Sequence, residues 1–192
     1  FQSLFLLASA LLLTTSLYAQ PANDDCANAI TLNVGTSCNF VEFTNDGATA
    51  SNVPNPGCAN YNGGDVWFKF TVPANGSIVL DATQGAGTMD DGAMALYTGN
   101  CGNLTMVACD DDNSVNGLMP YIQHSGLQPG SIAYVRFWEY DGNLFGTFSI
   151  CASQTVGAGP CSTTNPAGCF CPTPCATDCT LLPDITGGDF TL

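Results

Sequence analysis

The chain has 192 residues and a formal charge of −14, from 16 Asp and Glu against only two Lys and Arg. That balance excludes recognition of nucleic acid or of an anionic membrane through a basic patch, and leaves cations, neutral glycans and other proteins as favoured partners. Hydrophobic residues make up 45% of the chain. They fall in short periodic runs, so the chain is a folded domain and not a disordered acidic tail.

The chain opens FQSLFLLASALLLTTSLYAQ, an apolar and uncharged run from Phe1 to Tyr18, then small Ala19, then polar Gln20 to Asp25. Residues 1–19 read as a secretory signal peptide. A transmembrane anchor is the rival, but the run is short for a bilayer span and lacks flanking positive charge. With neither an initiator Met nor a basic first segment, a few residues are expected to be missing upstream. The absence of a Cys at the end of the run argues against a lipid-anchored protein.

A secreted chain with eleven cysteines is a disulfide-bonded one. Cys26, Cys38, Cys58, Cys101, Cys109 and Cys151 are widely spread and even in number, which predicts a self-contained domain with three bridges. Cys161, Cys169, Cys171, Cys175 and Cys179 crowd together and are odd in number.

Between Ala29 and Cys151 apolar residues recur at period two, in runs bounded by Gly, Asn, Asp and Pro. The clearest is residues 65–73, where Val66, Phe68, Phe70 and Val72 share one face and Trp67, Lys69 and Thr71 the other. Further strands are predicted at 77–80, 93–97, 104–109, 132–140 and 146–151, most separated by turn signals such as Pro73-Ala74-Asn75-Gly76. No long pattern of period 3.6 occurs between Gln20 and Cys151. The predicted fold is all-β: an antiparallel, jelly-roll-like β-sandwich of about eight strands over residues 20–154.

The stretches NDDCANAITLNVGTSC, GATASNVPNPGC, GGDVWFKFTVPANGSIVLD, DDGAMALYTGNCGNLTMVACDDD and GLQPGSIAYVRFWEYDGNLFGTFSICAS are similar to the bacterial pre-peptidase C-terminal domain. The form they resemble is the cysteine-bearing one of secreted multidomain proteins, over residues 23 to 153. The Asp-Val-Trp-Phe strand, the Leu-Tyr-x-Gly-x-Cys turn and the closing Ala-Tyr-Val-Arg strand come in that order. The resemblance implies a sandwich that is an accessory domain and not a catalytic one. Local spacing and this likeness together suggest Cys101 with Cys109, Cys38 with Cys58 and Cys26 with Cys151, one of fifteen connectivities that six cysteines allow.

Residues 155–180 lose the strand period, turn rich in Gly, Pro, Thr and Cys, and read as a disulfide-pinned linker. Their cysteines lack the paired C-x₂-C spacing of a structural zinc site. Residues 181–192 read as the start of a truncated downstream domain.

Catalytic constellations are weak. The sole histidine, His124, stands beside Ser125 and a turn, and the carboxylate pairs Asp90-Asp91 and Glu139-Asp141 have no context that sharpens them. No phosphate loop, dinucleotide fingerprint or HExxH occurs. The covered chain is therefore read as non-enzymatic.

The main chemical feature is CDDDNSVNG, with Asp110, Asp111, Asp112 and Asn113 in a row. An EF-hand fails, because Val115 stands where the loop needs Gly and no Glu closes it. A two-loop calcium site remains, in which Asp90 and Asp91 join Asp110 to Asn113 at one end of the sandwich. The other reading is a solvated acidic rim that keeps the protein soluble. Tyr134, Arg136, Trp138 and Tyr140 share one face of the 132–140 strand, opposite Ala133, Val135 and Phe137. Either the Trp face enters the sandwich core while a loop covers the Ala/Val/Phe face, or it is an exposed aromatic strip that stacks on sugar rings or a collagen-like chain. Asn75-Gly76-Ser77 and Asn103-Leu104-Thr105 match the glycosylation sequon.

The expected function is a secreted or cell-surface accessory and adhesion module, calcium-stabilised on the calcium reading. Its expected partners are an extracellular glycan or protein surface or neighbouring domains of its own chain, with no nucleic acid and no membrane after signal cleavage. The alternative is a delivery or folding module of a secreted hydrolase or oxidase whose catalytic domain lies beyond residue 192.

Overall fold

The computed structural model describes residues 19–155 apart from 88 and 143. The signal at 1–19, except Ala19, the linker at 155–180, except Thr155, and the segment 181–192 thus lie outside the described residues, as do the five crowded cysteines.

Ten strands form two stacked sheets: β1 (Ile30–Thr31), β2 (Val34–Gly35), β3 (Val41–Thr44), β4 (Val66–Thr71), β5 (Ile78–Gln84), β6 (Gly92–Asn100), β7 (Asn103–Asp110), β8 (Tyr121–His124), β9 (Ile132–Glu139) and β10 (Thr147–Ser153). One sheet runs β1-β4-β9-β6-β7; the other runs β2-β10-β5-β8, with β3 also on β10. The sandwich is as expected, with two differences. Strands β1, β2, β3 and β8 have two to four residues, too few for an alternation to show. Also, β1 joins β4 and β2 joins β10 in parallel, so both sheets are mixed.

Alternation decides which side of each long strand meets the core. Val66, Phe68, Phe70 and Val72 face inward, joined by Leu80, Leu96, Val135, Phe137, Phe148 and Ile150 from both sheets. Phe137 stacks on Phe148 with ring centroids 3.8 Å apart, and Phe68 meets Phe148 edge-on. Glycines keep the loops clear of the packing. Gly64 has φ +66°, where an L side chain is strained, and a Cβ there would overlap the Phe145 ring.

A second cluster lies on the outer face of the first sheet. It holds Trp67, Ala93, Ala95, Tyr97 and Trp138, with Cys26, Cys58 and Cys109. The Trp138 face of β9 therefore does not enter the sandwich core, and Ala133, Val135 and Phe137 do, the reverse of the loop-covered expectation. Nor is that face an exposed strip. Arg136 and Trp138 are fully buried under residues 50–64, while Tyr134 and Tyr140 are half-buried.

Three disulfides close among the six spread cysteines, but with none of the suggested partners: Cys26–Cys101, Cys38–Cys151 and Cys58–Cys109. Cys101 and Cys109 stand at opposite ends of β7, roughly 20 Å apart along an extended strand and out of disulfide reach. Cys26 crosses the outer face of the sheet to Cys101, Cys38 anchors the β2–β3 connection to β10, and Cys58 ties the covering loop to β7.

Candidate functional site

The covering loop is built for irregular structure. Pro54, Pro56 and Gly57 break any ladder, and Gly57, Ala59 and Asn60 all take positive φ. A non-glycine pair in that region is strained and persists only where its surroundings hold it. Here β9 supplies the hold. Trp138 Nε1 donates to Ala59 O at 2.9 Å, Arg136 Nη1 donates to Pro54 O at 2.9 Å, and Cys58 is tied to Cys109.

Beneath the loop sits a fully buried ion pair, Arg136 Nε to Asp65 Oδ2 at 3.0 Å. A buried charge is tolerated only when paired and hydrogen-bonded. Asp65 accepts from Ser51 N and Oγ, from Tyr61 OH at 2.5 Å and from Trp67 Nε1 at 2.8 Å. The guanidinium also lies 4.1 Å from the centroid of the Tyr61 ring. Burial alone raises the Asp65 pKa, but the hydrogen bonds and charge of Arg136, with Ser51 and Tyr61, hold it below the usual carboxylate range. Burial, then the Asp65 hydrogen bond and charge, push the Tyr61 hydroxyl well above its ordinary value. Sequence reasoning missed Asp65. The signal was present: the only Arg of the chain stands mid-strand among apolar residues, and β4 and β9 pair Trp67 with Arg136, so Asp65 two residues earlier shares that face.

The network turns residues 52–61 into a rigid ridge with a cleft on either side. One, shallow and widely open, of about 570 Å³, is lined by Asn55, Asn60, Tyr61 and Tyr140 and carries no charged side chain. The other, of about 590 Å³, runs between Val53, Pro54, Pro56 and the β6–β7 hairpin, where Leu104 and Met106 line it with Tyr97. Of the four residues expected to bind on the 132–140 strand, Tyr140, in the turn just past β9, reaches a cleft, Arg136 and Trp138 brace the ridge from below, and Tyr134 packs against the outer cluster.

The acidic residues divide. Asp110 accepts hydrogen bonds from the backbone and side chain of Asn113 and from Tyr121 N, so it shapes its own loop. Asp90 and Asp112 are exposed, Asp91 and Asp111 half-buried. The two loops do meet electrostatically. Burial, then Asp112, Glu139, Asp90 and Asp111, raise the Asp91 pKa to about 6. Among the described residues, no three His, Cys, Asp or Glu side chains are grouped to hold a metal ion. His124 lines a separate shallow cleft with Ser77, Gln123, Ser125 and Thr155.

None of the curated proteins compared matches this chain. Among solved structures, the pre-peptidase C-terminal domain of collagenase from Bacillus anthracis matches at 13% identity and a TM-score of 0.38, over 65% of this chain and 95% of that one. It belongs to the domain family that the sequence resembles. A T9SS-associated family described as galactose binding domain-like matches residues 22–123, from the N-terminal segment into β8. That match spans more than half of the chain, which belongs to the galactose binding domain-like family.

Proposed function

We propose that this chain is a secreted, non-catalytic accessory module whose ridge holds a neutral carbohydrate of the extracellular surroundings. One observation carries the reading: the uncharged cleft of Asn55, Asn60, Tyr61 and Tyr140 on a loop held by Arg136, Trp138 and the Cys58–Cys109 bridge. Amides hydrogen-bond sugar hydroxyls in both directions, and tyrosine adds a ring for stacking and a hydroxyl. A pre-formed loop saves the ordering cost that a mobile one incurs on binding. The two fully buried charged groups, Asp65 and Arg136, are paired with each other, which supports a binding role over an acid–base one.

The test is isothermal titration of the full chain with neutral oligosaccharides. Asn60→Gly, which keeps the positive φ, and Tyr140→Ala are expected to weaken binding at least tenfold with unchanged melting temperature, and a wild-type chain that binds no neutral glycan overturns the reading. On the alternative, in which the module delivers a hydrolase or oxidase, the complete gene product turns over a substrate that this chain only holds.

A second reading adds calcium at the acidic end. It is favoured by the meeting of the two acidic loops at Asp91, whose pKa is raised first by burial and then by Asp112, Glu139, Asp90 and Asp111, because a cation there would offset the repulsive part.

A further inference from the structure

The four sheet edges are unequal. At one edge stands β1 with two residues, at another β8 with four, and β2 and β3 share the side of β10 with two and four. Among the described residues the fourth edge, β7, has eight residues, no strand hydrogen-bonded beyond it and a single bulge, opposite Leu96 and Tyr97. Proteins usually blunt an edge of that length with Lys, Pro or a cover, since its row of unpaired N–H and C=O groups templates another strand. Between Asn103 and Cys109, β7 carries no charge and no proline. Thr105 is exposed, and Met106 is 40% exposed. A cleft of mixed character, with Val53, Pro54, Leu104 and Met106 beside Asn52 and Asn103, opens beside it.

We propose that β7 is a docking edge for an extended segment of another polypeptide, which adds to the sheet as a sixth strand. Main-chain groups at the spacing of a β-ladder are matched by an extended peptide and not by a sugar. Alternate side chains of that segment then face the cleft, as apolar anchors. Charge selects the partner. Asp110, Asp111 and Asp112 end the strand, Arg136 is buried in its ion pair, and Lys69 is the only other basic residue. A second copy of this chain would bring −14 against −14, whereas a segment with Lys or Arg at the Asp110 end gains attraction and a faster encounter. The acidic triplet thus has a task that needs no metal: it fixes which end of the incoming strand lies beside it.

The experiment uses the ¹⁵N-labelled full chain and three synthetic octapeptides. The first is acetyl-KRTVTVTV-amide; the second carries N-methyl groups on alternate residues; the third has Glu-Glu in place of the Lys-Arg pair. The first peptide is expected to bind one-to-one and to slow amide exchange within residues 103–110. N-methylation removes that protection, and the Glu-Glu peptide binds about tenfold more weakly at low salt. Met106→Lys, at an exposed position, weakens the first peptide about as much while leaving the melting temperature unchanged. Asn60→Gly, compatible with the positive φ there, leaves peptide binding intact, which separates this proposal from the glycan reading. Unchanged β7 exchange at saturating peptide, equal binding of the methylated peptide, or a dimer of the chain paired through β7 in sedimentation each overturns it.

Discussion

Single residues hold the outer face together, and their worth is set by burial. Truncating one partner of a buried, hydrogen-bonded ion pair strands the other, so Arg136→Ala is expected to cost roughly 3–5 kcal/mol in urea melts. Arg136→Lys should recover only part of that, because a point charge cannot reach Asp65, Ser51 and Pro54 O from one planar fork. Tyr97 gives the opposite case. Its buried hydroxyl faces the Arg136 guanidinium but makes no hydrogen bond of good geometry among the described residues, so Tyr97→Phe is expected to leave the melting temperature nearly level. A fall of several degrees would mean that the hydroxyl has a partner after all. Alternation placed Arg136 and Trp138 on one face correctly, but period two cannot say whether a loop covers that face. The covering loop comes from residues about 80 positions earlier, and local pattern does not carry such long-range packing.

Elements show the same division. The long strands β4, β6, β7 and β9 were legible, because each presents four or more alternating positions. The disulfides were not, since proximity along the chain misleads where the sheet order is β1-β4-β9-β6-β7 and partners arrive from its far side. The ridge is the element whose role is most open to measurement. Cys58–Cys109 closes a separation of 51 residues, for which chain entropy gives about 4 kcal/mol. Replacing both by Ser should cost stability of that order in denaturant melts. It should also weaken glycan binding in the cleft of Asn60 and Tyr140, because the strained Ala59–Asn60 turn loses its tie. Cys38–Cys151 closes 113 residues and lies on the other sheet, so its removal should cost stability while leaving cleft binding unchanged in the chain that still folds.

At the scale of the whole molecule, the chain carries a charge of −14, and the described acidic loops repel each other where they meet at Asp91. Asp91 has an ordinary value of 3.8 and a folded value of about 6. The fold therefore prefers the protonated form: the contribution of Asp91 is most favourable below 3.8, falls as pH rises to about 6, and is flat above. Asp65, held low, acts in the other direction and loses its contribution only in acid. Asp91→Asn should remove the downward slope between pH 4 and 6 and raise the melting temperature at pH 7. The same loops decide between calcium and a solvated rim. Asp110 is engaged by Asn113 and Tyr121, and no three carboxylates are grouped among the described residues. On a solvated rim, millimolar calcium and NaCl of equal ionic strength raise the melting temperature alike, through screening. A calcium-specific rise has a different signature: ligand binding to the native state adds about 2.7 kcal/mol at a hundredfold excess over Kd. Were that rise seen, and lost in Asp91→Asn or Asp111→Asn, the ion would be held between the loops. It would then compete with a basic strand for the end of β7.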